Sequence, residues 1–142
     1  MGVGRWSDRE LILASADQEL VVYDVTRRAA TRRFAAAVWP SRRFVFGECT
    51  PVLSGDGWVG TPNLLTRTLN VYDQWGTSLG TLRLEPAGHR GFFSVGAIGR
   101  HIAMGSFQYL QTARLKIDPS CAPAAAGLGP LTTVHQYDSH GR

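Results

Sequence analysis

The strongest constraint in the sequence is a strand ending that recurs at nearly even intervals. Three apolar segments end in a large side chain followed by aspartate, at residues 22–24, 71–73 and 116–118. The intervals between the three aspartates are 49 residues (24 to 73) and 45 residues (73 to 118). A period of roughly 40–50 residues, with room for about four strands, is typical of repeat folds built from small antiparallel sheets.

Strand signals fill these intervals, and helix signals are weak. Short runs of β-branched, aromatic and aliphatic residues alternate with turn residues, and no stretch combines a helical apolar period with a cap and a stop. The sequence therefore predicts an all-β, antiparallel fold. The stretch 50–63 is predicted as mostly loop because of its glycines and prolines, and 122–129 as a linker. Strands are expected at 11–15, 20–25, 31–34, 43–47, 57–60, 69–73, 79–84, 92–97, 101–106, 112–118 and 131–138.

Parts of residues 10–118 resemble WD40-type β-propeller repeats. Gly88 and His89 precede a predicted strand, and His89 stands 29 residues before Asp118 (89 to 118), which is similar to the Gly-His and strand-ending Trp-Asp of that family. Ser15 and Asp17 are similar to the strand serine and turn aspartate of such a repeat. The resemblance implies antiparallel four-stranded propeller blades. It also implies a structural hydrogen-bond network, with Ser15, Asp17, His89 and Ser106 as its members.

The chain departs from this family in several places. Tyr23, Tyr72 and Ile117 stand where tryptophan is usual, the last repeat lacks the turn aspartate, and the middle repeat lacks Gly-His. The 142 residues cover about three blades, whereas propellers close with about four to eight. We therefore expect an incomplete ring, with a β-sandwich as the alternative fold. The expected organisation is an N-terminal extension (1–9), propeller-like blades (10–118) and a small-residue linker and tail with one closing strand (119–142).

An arginine cluster is the candidate binding site. Arginine forks match phosphate and carboxylate geometry, and the formal net charge is +4. On an outer strand, however, adjacent arginines point to opposite faces and can serve to block edge-to-edge pairing. The cluster also lacks interleaved aromatics of the kind that stack on bases. Its members are Arg27, Arg28, Arg32, Arg33, Arg42 and Arg43.

Catalytic and metal-binding patterns are not evident in the sequence. The four histidines have no HxH or HxxxH spacing and no neighbouring cysteine, and the eleven acids are scattered. We therefore expect no catalytic residue, no metal site and no cofactor. The tryptophans lie in predicted loops or near turns, where they suit either a binding surface or the gaps between blades. They are Trp6, Trp39, Trp58 and Trp75.

The function predicted from the resemblance is a non-catalytic protein–protein interaction module or scaffold subunit. Polyanion or nucleic-acid binding through the 27–43 cluster is the first alternative, and a hydrolase whose site is invisible in the sequence is the second. We expect a protein partner or larger assembly, including a homo-oligomer or a longer parent that completes the propeller. No apolar run reaches the roughly 20 residues of a membrane span, and the N-terminus lacks a signal-like apolar segment. We therefore expect a soluble, intracellular and cytoplasmic chain.

Overall fold

The chain folds into β-strands joined mostly by short turns. The computed structural model describes residues 2–15, 17–38, 52–63, 66–84, 94–106, 108–118, 120, 125–140 and 142. Within these ranges there are thirteen strands. They are β1 (Gly2–Arg5), β2 (Glu10–Ser15), β3 (Glu19–Asp24), β4 (Ala29–Ala35), β5 (Leu53–Gly55), β6 (Trp58–Asn63), β7 (Thr68–Asp73), β8 (Ser78–Arg83), β9 (Ser94–Ile98), β10 (His101–Gly105), β11 (Tyr109–Ile117), β12 (Ala126–Leu128) and β13 (Thr132–Gln136).

The strands pair in chain order into three antiparallel sheets. Sheet 1 has the order β1-β2-β3-β4, and sheet 2 has the order β5-β6-β7-β8. Sheet 3 begins β9-β10-β11, and its fourth position is divided between β12 and β13. β12 pairs with the second half of β11 and β13 with the first half, so the two act as one strand interrupted at residues 129–131. Each sheet is therefore an antiparallel meander four strands wide.

Sheets 1 and 2 pack face to face in a contact that we call the first joint. Side chains alternate between the two faces of a strand, so one face of β2 and β3 points towards sheet 2. The first joint includes Ile12, Ala14, Leu20 and Val22 from sheet 1, together with Val59 and Tyr72 from sheet 2.

Sheets 2 and 3 pack in a second joint, on the opposite face of sheet 2. Trp58 is buried in this second joint, whereas its neighbour Val59 is buried in the first. The second joint is the larger apolar core. Its buried residues include Trp58, Leu69, Val71, Leu82, Ile102, Met104 and Leu115.

The middle sheet is thus covered on both faces, and the three sheets follow one another as blades do. Their first strands lie side by side, since β1 contacts β5 and β5 contacts β9. A sandwich of two sheets would instead leave one face of each sheet open, so the β-sandwich alternative is wrong. The prediction of about three propeller-like, four-stranded antiparallel sheets is confirmed. Within the described part of the chain, they form an open series rather than a closed ring.

Three strands, β1, β5 and β12, lie where the sequence indicated none, and a fourth, β6, extends beyond the strand predicted at 57–60. β1 lies within the predicted N-terminal extension and completes sheet 1 by pairing with β2. β12 lies in the predicted small-residue linker. The Gly- and Pro-rich stretch 50–63 contains β5 and all of β6. Pro62 is accommodated in β6 because β5 pairs only with residues 58–60, which leaves Pro62 with one strand neighbour. The strand predicted at 43–47 lies outside the described residues.

The repeat also has a different register in sheet 3. Asp24 and Asp73 are equivalent, because each pairs with the first residue of the second strand in its sheet, Glu10 and Trp58. In sheet 3 that place belongs to Arg114, opposite His101. β11 then continues to Ile117, so Asp118 ends the longer strand instead of matching the two earlier aspartates.

Candidate functional site

The turns after the first strands meet at one end of the molecule. A cleft of about 610 Å³ opens there between sheets 1, 2 and 3. We call this end the turn surface, and it comprises residues 6–9, 25–28, 56–57, 74–77 and 99–100. The cleft is lined by Gly4, Arg5, Trp6, Ser7, Val52, Leu53, Ser54, Gly55, Asp56, Ala97, Ile98 and Gly99.

One wall of the cleft is fixed by contacts around a single carbonyl. The indole Nε1 of Trp58 donates to the Gly99 carbonyl at 2.7 Å, and the Asp56 backbone N–H donates to it at 3.4 Å. A Cβ at Gly55 would lie 1.9 Å from the same oxygen. The close approach of the two turns therefore requires glycine at position 55 and holds sheets 2 and 3 together at the cleft.

The opposite wall joins sheets 1 and 2. The Ser54 hydroxyl donates to the Arg5 carbonyl, and the Arg5 guanidinium pairs with Asp8. Among the described residues that line the cleft, Asp56 is the single carboxylate. The cleft therefore presents aromatic, aliphatic and hydroxyl groups rather than a pair of acids.

The predicted arginine cluster is divided between a turn and a strand. Arg27 and Arg28 lie in the turn between β3 and β4, and Arg32 and Arg33 lie on β4. Arg27 Nε is 3.8 Å from Asp24 Oδ2, and Arg33 NH1 is 3.4 Å from Glu19 Oε2. Arg42 and Arg43 lie outside the described residues. The structure does not gather the four described arginines into one unpaired cationic patch.

Arg32 is held between two tryptophans from different sheets. Its guanidinium carbon is 5.0 Å from the ring centre of Trp75 and 5.9 Å from that of Trp6, within cation–π range. Arg32 also donates to the Gln74 carbonyl. The arrangement connects β4 of sheet 1 to the β7–β8 turn of sheet 2 and fixes Trp75 at the surface.

Large apolar side chains are exposed on the turn surface and beside it. Trp75 is 67% exposed in the β7–β8 turn, and Val25 is 46% exposed in the β3–β4 turn. Ile98 is 80% exposed at the cleft. The Val25 backbone N–H donates to the Arg9 carbonyl at 2.9 Å, which places the two turns of sheet 1 together. Exposed apolar groups beside arginines are typical of protein-binding surfaces.

Asp24 organises the β3–β4 turn. Its Oδ1 accepts the backbone N–H groups of Arg27 at 2.9 Å and Thr26 at 2.8 Å. These hydrogen bonds, with the one from Arg27 the largest cause, lower the pKa of Asp24, and the charges of Arg27 and Arg9 add to the effect, while burial opposes it. The carboxylate is thus a structural acceptor that shapes the turn carrying Val25 and Arg27.

The described histidines lie apart from the cleft floor and from one another. His101 begins β10, His135 stacks edge-on against Tyr137 with ring centres 4.6 Å apart, and His140 is in the C-terminal turn. Within the described residues, no group of three or more His, Cys, Asp or Glu could hold a metal ion. His89 lies outside that part of the chain.

Two members of the predicted hydrogen-bond network have matching local roles. Ser15 Oγ accepts the Asp17 backbone N–H at 3.1 Å, and Ser106 Oγ accepts that of Tyr109 at 3.1 Å. Each serine therefore shapes the hairpin between the second and third strands of its sheet. Asp17 is exposed in its turn. The complete network through His89 stays a prediction.

The four tryptophans have separate positions. Trp58 is buried, with 1% exposure, because it starts β6 and not a loop. Trp6 is half-buried at the cleft, Trp75 is exposed, and Trp39 lies outside the described residues. Sequence reasoning missed the Trp6–Arg32–Trp75 contact because its members are far apart in the chain. Asp73-Gln74-Trp75-Gly76, a turn sequence with a tryptophan at its centre, was the signal available for Trp75.

Of three comparisons with known proteins, the one with solved structures finds a similarity. No protein-family model matches the sequence, and no curated protein matches it either. Among solved structures, the chain is similar to the β-propeller domain of Cps50 (Swd1) from Myceliophteria thermophila, with 12% identity and a TM-score of 0.38. The match covers 93% of this chain and 55% of that chain, so this chain spans about half of its length. The three sheets are propeller-like in their strand pairing, because each is a meander four strands wide.

Among the residues that the structure describes, no helix has the length and apolarity needed to cross a membrane.

Proposed function

We propose that the chain is a non-catalytic protein–protein interaction module that binds a protein partner through the turn surface and the adjoining cleft. The observation that carries this proposal is Trp75, which is 67% exposed yet held in place against Arg32. A large aromatic side chain that is already fixed in the free protein loses little conformational entropy on binding. Tryptophan and arginine are also the residue types most enriched among binding hot spots.

The surroundings of Trp75 support a protein as the ligand. Val25 and Ile98 add exposed apolar surface at the same end of the sheets, and Arg27 and Arg28 lie beside Val25 at the rim. An apolar centre with a charged rim is the usual anatomy of a protein interface. The cleft next to Trp6 provides room for a projecting side chain of the partner.

The contacts of the arginines favour a protein over a polyanion. Arg27 and Arg33 have carboxylate partners, and Arg32 is engaged by two rings and a carbonyl. A phosphate backbone would have to compete with these internal acceptors. Nucleic-acid binding through this cluster would weaken steeply as salt rises, which separates the two functions experimentally.

The composition of the cleft favours binding over hydrolysis. Paired acid and base groups are the usual requirement for general acid–base hydrolysis, whereas the described lining offers Asp56 and no second carboxylate. The Ser54 hydroxyl donates to the Arg5 carbonyl. A hydrolase that used this cleft would depend on Asp56, so Asp56→Asn would abolish its activity, whereas a binding module would retain its partner.

Affinity purification with matched variants tests the proposal. The tagged chain, Trp75→Ala and the control Val134→Ala are compared; Val134 is also exposed, at 59%, but lies on β13. We expect a stoichiometric protein partner whose affinity falls about 30-fold or more with Trp75→Ala, as for a hot spot, and stays unchanged with Val134→Ala. Equal recovery with all three chains, or recovery of nucleic acid alone that salt releases, would contradict the proposal.

A further inference from the structure

The two ends of the three-sheet series have different surfaces. In sheet 1, the face opposite the first joint carries the residues that alternate with the core positions of β2 and β3. Leu11 lies opposite Tyr23, and Leu13 lies between Val3 and Val21. We call this the leading face. Its centre is apolar, and Val3 on it is 59% exposed. The charged residues on the same face are Arg5 and the ion pair of Glu19 with Arg33.

The leading face matches a face that is covered elsewhere in the molecule. Tyr23 and Tyr72 are equivalent, since each precedes the aspartate that pairs with the start of the second strand. Tyr72 packs against sheet 1, where its ring lies 6.3 Å from that of Phe34 and its hydroxyl accepts the Ala37 N–H at 2.9 Å. The leading face of sheet 1 is therefore equivalent to the face of sheet 2 that packs against sheet 1.

The outer face of sheet 3 contains a shallow apolar hollow. Gly96, Ala103 and Thr112 are opposite one another in register, and their small side chains leave a depression of about 300 Å³. Ile98 and His101 also line it. We call this the trailing face. Arg114, opposite His101, is exposed at the edge of the hollow, and Lys116 is exposed farther along β11 on the same face.

We propose that a second copy of the chain covers both ends, with the leading face of each copy packed on the trailing face of the other. Projecting leucine and tyrosine side chains on one face then meet a hollow on the other. The order of the two faces in this contact is the same as in the first and second joints. A head-to-tail contact of this kind closes into a ring when its rotation permits. Two copies of three sheets make six, which is within the range of about four to eight blades that known propellers have.

A second copy in this position repeats the type of contact that joins the sheets inside the chain. Each joint inside the chain places one sheet's leading-type face on the preceding sheet, and the proposed contact repeats that relation between copies. Two leading faces packed on each other would instead leave both hollows uncovered. The proposal does not depend on the proposed function, because neither face includes Trp75, which carries that function; Ile98 borders both the cleft and the hollow.

Mass measurement in solution tests the ring. We expect the full chain to have the mass of two copies at micromolar concentration by analytical ultracentrifugation. Leu13→Glu on the leading face and Ala103→Glu on the trailing face should each weaken association about 100-fold or more, because each places a charged side chain in a contact that is otherwise apolar. Ser78→Glu, on the exposed edge strand β8, is the control and should remain dimeric. Circular dichroism and a thermal melt confirm that each variant is folded.

Mixing the two variants distinguishes this ring from other dimers. An equimolar mixture of Leu13→Glu and Ala103→Glu retains one intact joint, so it should recover dimers that neither variant forms alone. A dimer that Ala103→Glu leaves intact would overturn the ring, since it would show leading faces pairing with each other. A folded chain that is monomeric up to about 100-fold above that concentration, or one that grows into larger polymers, would also overturn it.

Discussion

The first and second joints bury apolar surface on opposite faces of the same sheet, yet they are built differently. The second joint consists mainly of large side chains with almost no exposure, including Trp58, Leu69 and Met104, and its hydrogen bond from Trp58 to the Gly99 carbonyl lies at the cleft. The first joint has a smaller core and adds specific contacts, among them the hydrogen bond from Ala37 N–H to Tyr72 Oη and the stacking of Arg32 between Trp6 and Trp75.

This difference shows how one sheet can have two kinds of neighbour. Burial of apolar area is non-directional and supplies most of the stabilisation, which suits the second joint. Hydrogen bonds and ring contacts contribute less free energy but fix position and angle. We therefore expect the second joint to dominate the free energy of unfolding and the first joint to set how sheet 1 is placed beside the turn surface.

The largest expected effect comes from Trp58→Ala in the second joint. Removing this fully buried ring leaves a cavity and removes the hydrogen bond to Gly99, so the free energy of unfolding should fall by about 3–5 kcal/mol. Chemical denaturation measures the change. Trp75→Ala is the matched control, and its loss of a surface cation–π contact should cost about 1 kcal/mol or less. Equal losses for the two variants would contradict the assigned roles.

Gly76→Ala should have the next largest effect, through the first joint. Gly76 has φ +87°, and a Cβ there would lie 2.5 Å from the Phe34 ring. Gly57→Ala is the control that separates backbone strain from the steric clash with Phe34. Gly57 also has a positive φ, +73°, but the space around its Cβ position is open. Both variants should lose about 1–2 kcal/mol from the left-handed backbone. Gly76→Ala should lose about 1–3 kcal/mol more from overpacking.

Denaturation curves of the two glycine variants provide the measurement. The result that counts is the difference between them, since the backbone contribution is common to both. If Gly57→Ala were as destabilised as Gly76→Ala, the contact between the β7–β8 turn and Phe34 would not hold the first joint.

Tyr72→Phe should have a smaller effect on the same joint. It removes the acceptor of the Ala37 N–H and keeps the ring against Phe34, so the free energy of unfolding should fall by about 1 kcal/mol. Tyr23→Phe at the equivalent position of sheet 1 is the control, with an expected change within about 0.5 kcal/mol. Amide hydrogen exchange at Ala37 should speed up in Tyr72→Phe alone. Unchanged exchange there would argue against the hydrogen bond.

The smallest expected effect is the pH dependence due to Asp24. Because backbone hydrogen bonds lower its pKa in the folded state, ionised Asp24 stabilises the fold above the unfolded value of about 3.9. That contribution is lost as the pH falls through the lower folded-state pKa. Asp24→Asn should therefore reduce the loss of stability below about pH 4. Parallel pH profiles for the variant and the natural chain would count against this role.

Most strands could be predicted because their signals are local. Alternating or continuous apolar runs at 11–15, 20–25, 69–73 and 79–84 correspond closely to β2, β3, β7 and β8. β1 and β12 could not be predicted, since glycine-rich segments become strands only through a partner. The stretch 50–63 was predicted as mostly loop, with a strand at 57–60 alone. Pro62 is tolerated in β6 because β5 begins at Leu53, opposite Gly60, and does not lie beside Pro62.

The candidate site was less accessible to sequence reasoning. Arg27 and Arg28 lie in a turn, and Arg32 and Arg33 lie on β4, an outer strand, but the partners of Arg32 and Arg33 come from another strand and from sheet 2. Trp58 and Trp75 are the same residue type near similar turns. Trp58, at the start of β6, is buried in the second joint, and Trp75, in a turn, is exposed, because the packing of the sheets decides which side chain faces a neighbour.

The sequence by itself determined that this chain forms antiparallel strands in repeated groups, because side-chain alternation and turn chemistry act within a few residues. The tertiary structure alone decided which apolar face of each sheet is covered, where the cleft opens and which arginine stacks on tryptophan. These features depend on contacts between residues that are far apart in the chain, such as Arg32 with Trp75 and Trp58 with Gly99. No local pattern encodes such distances.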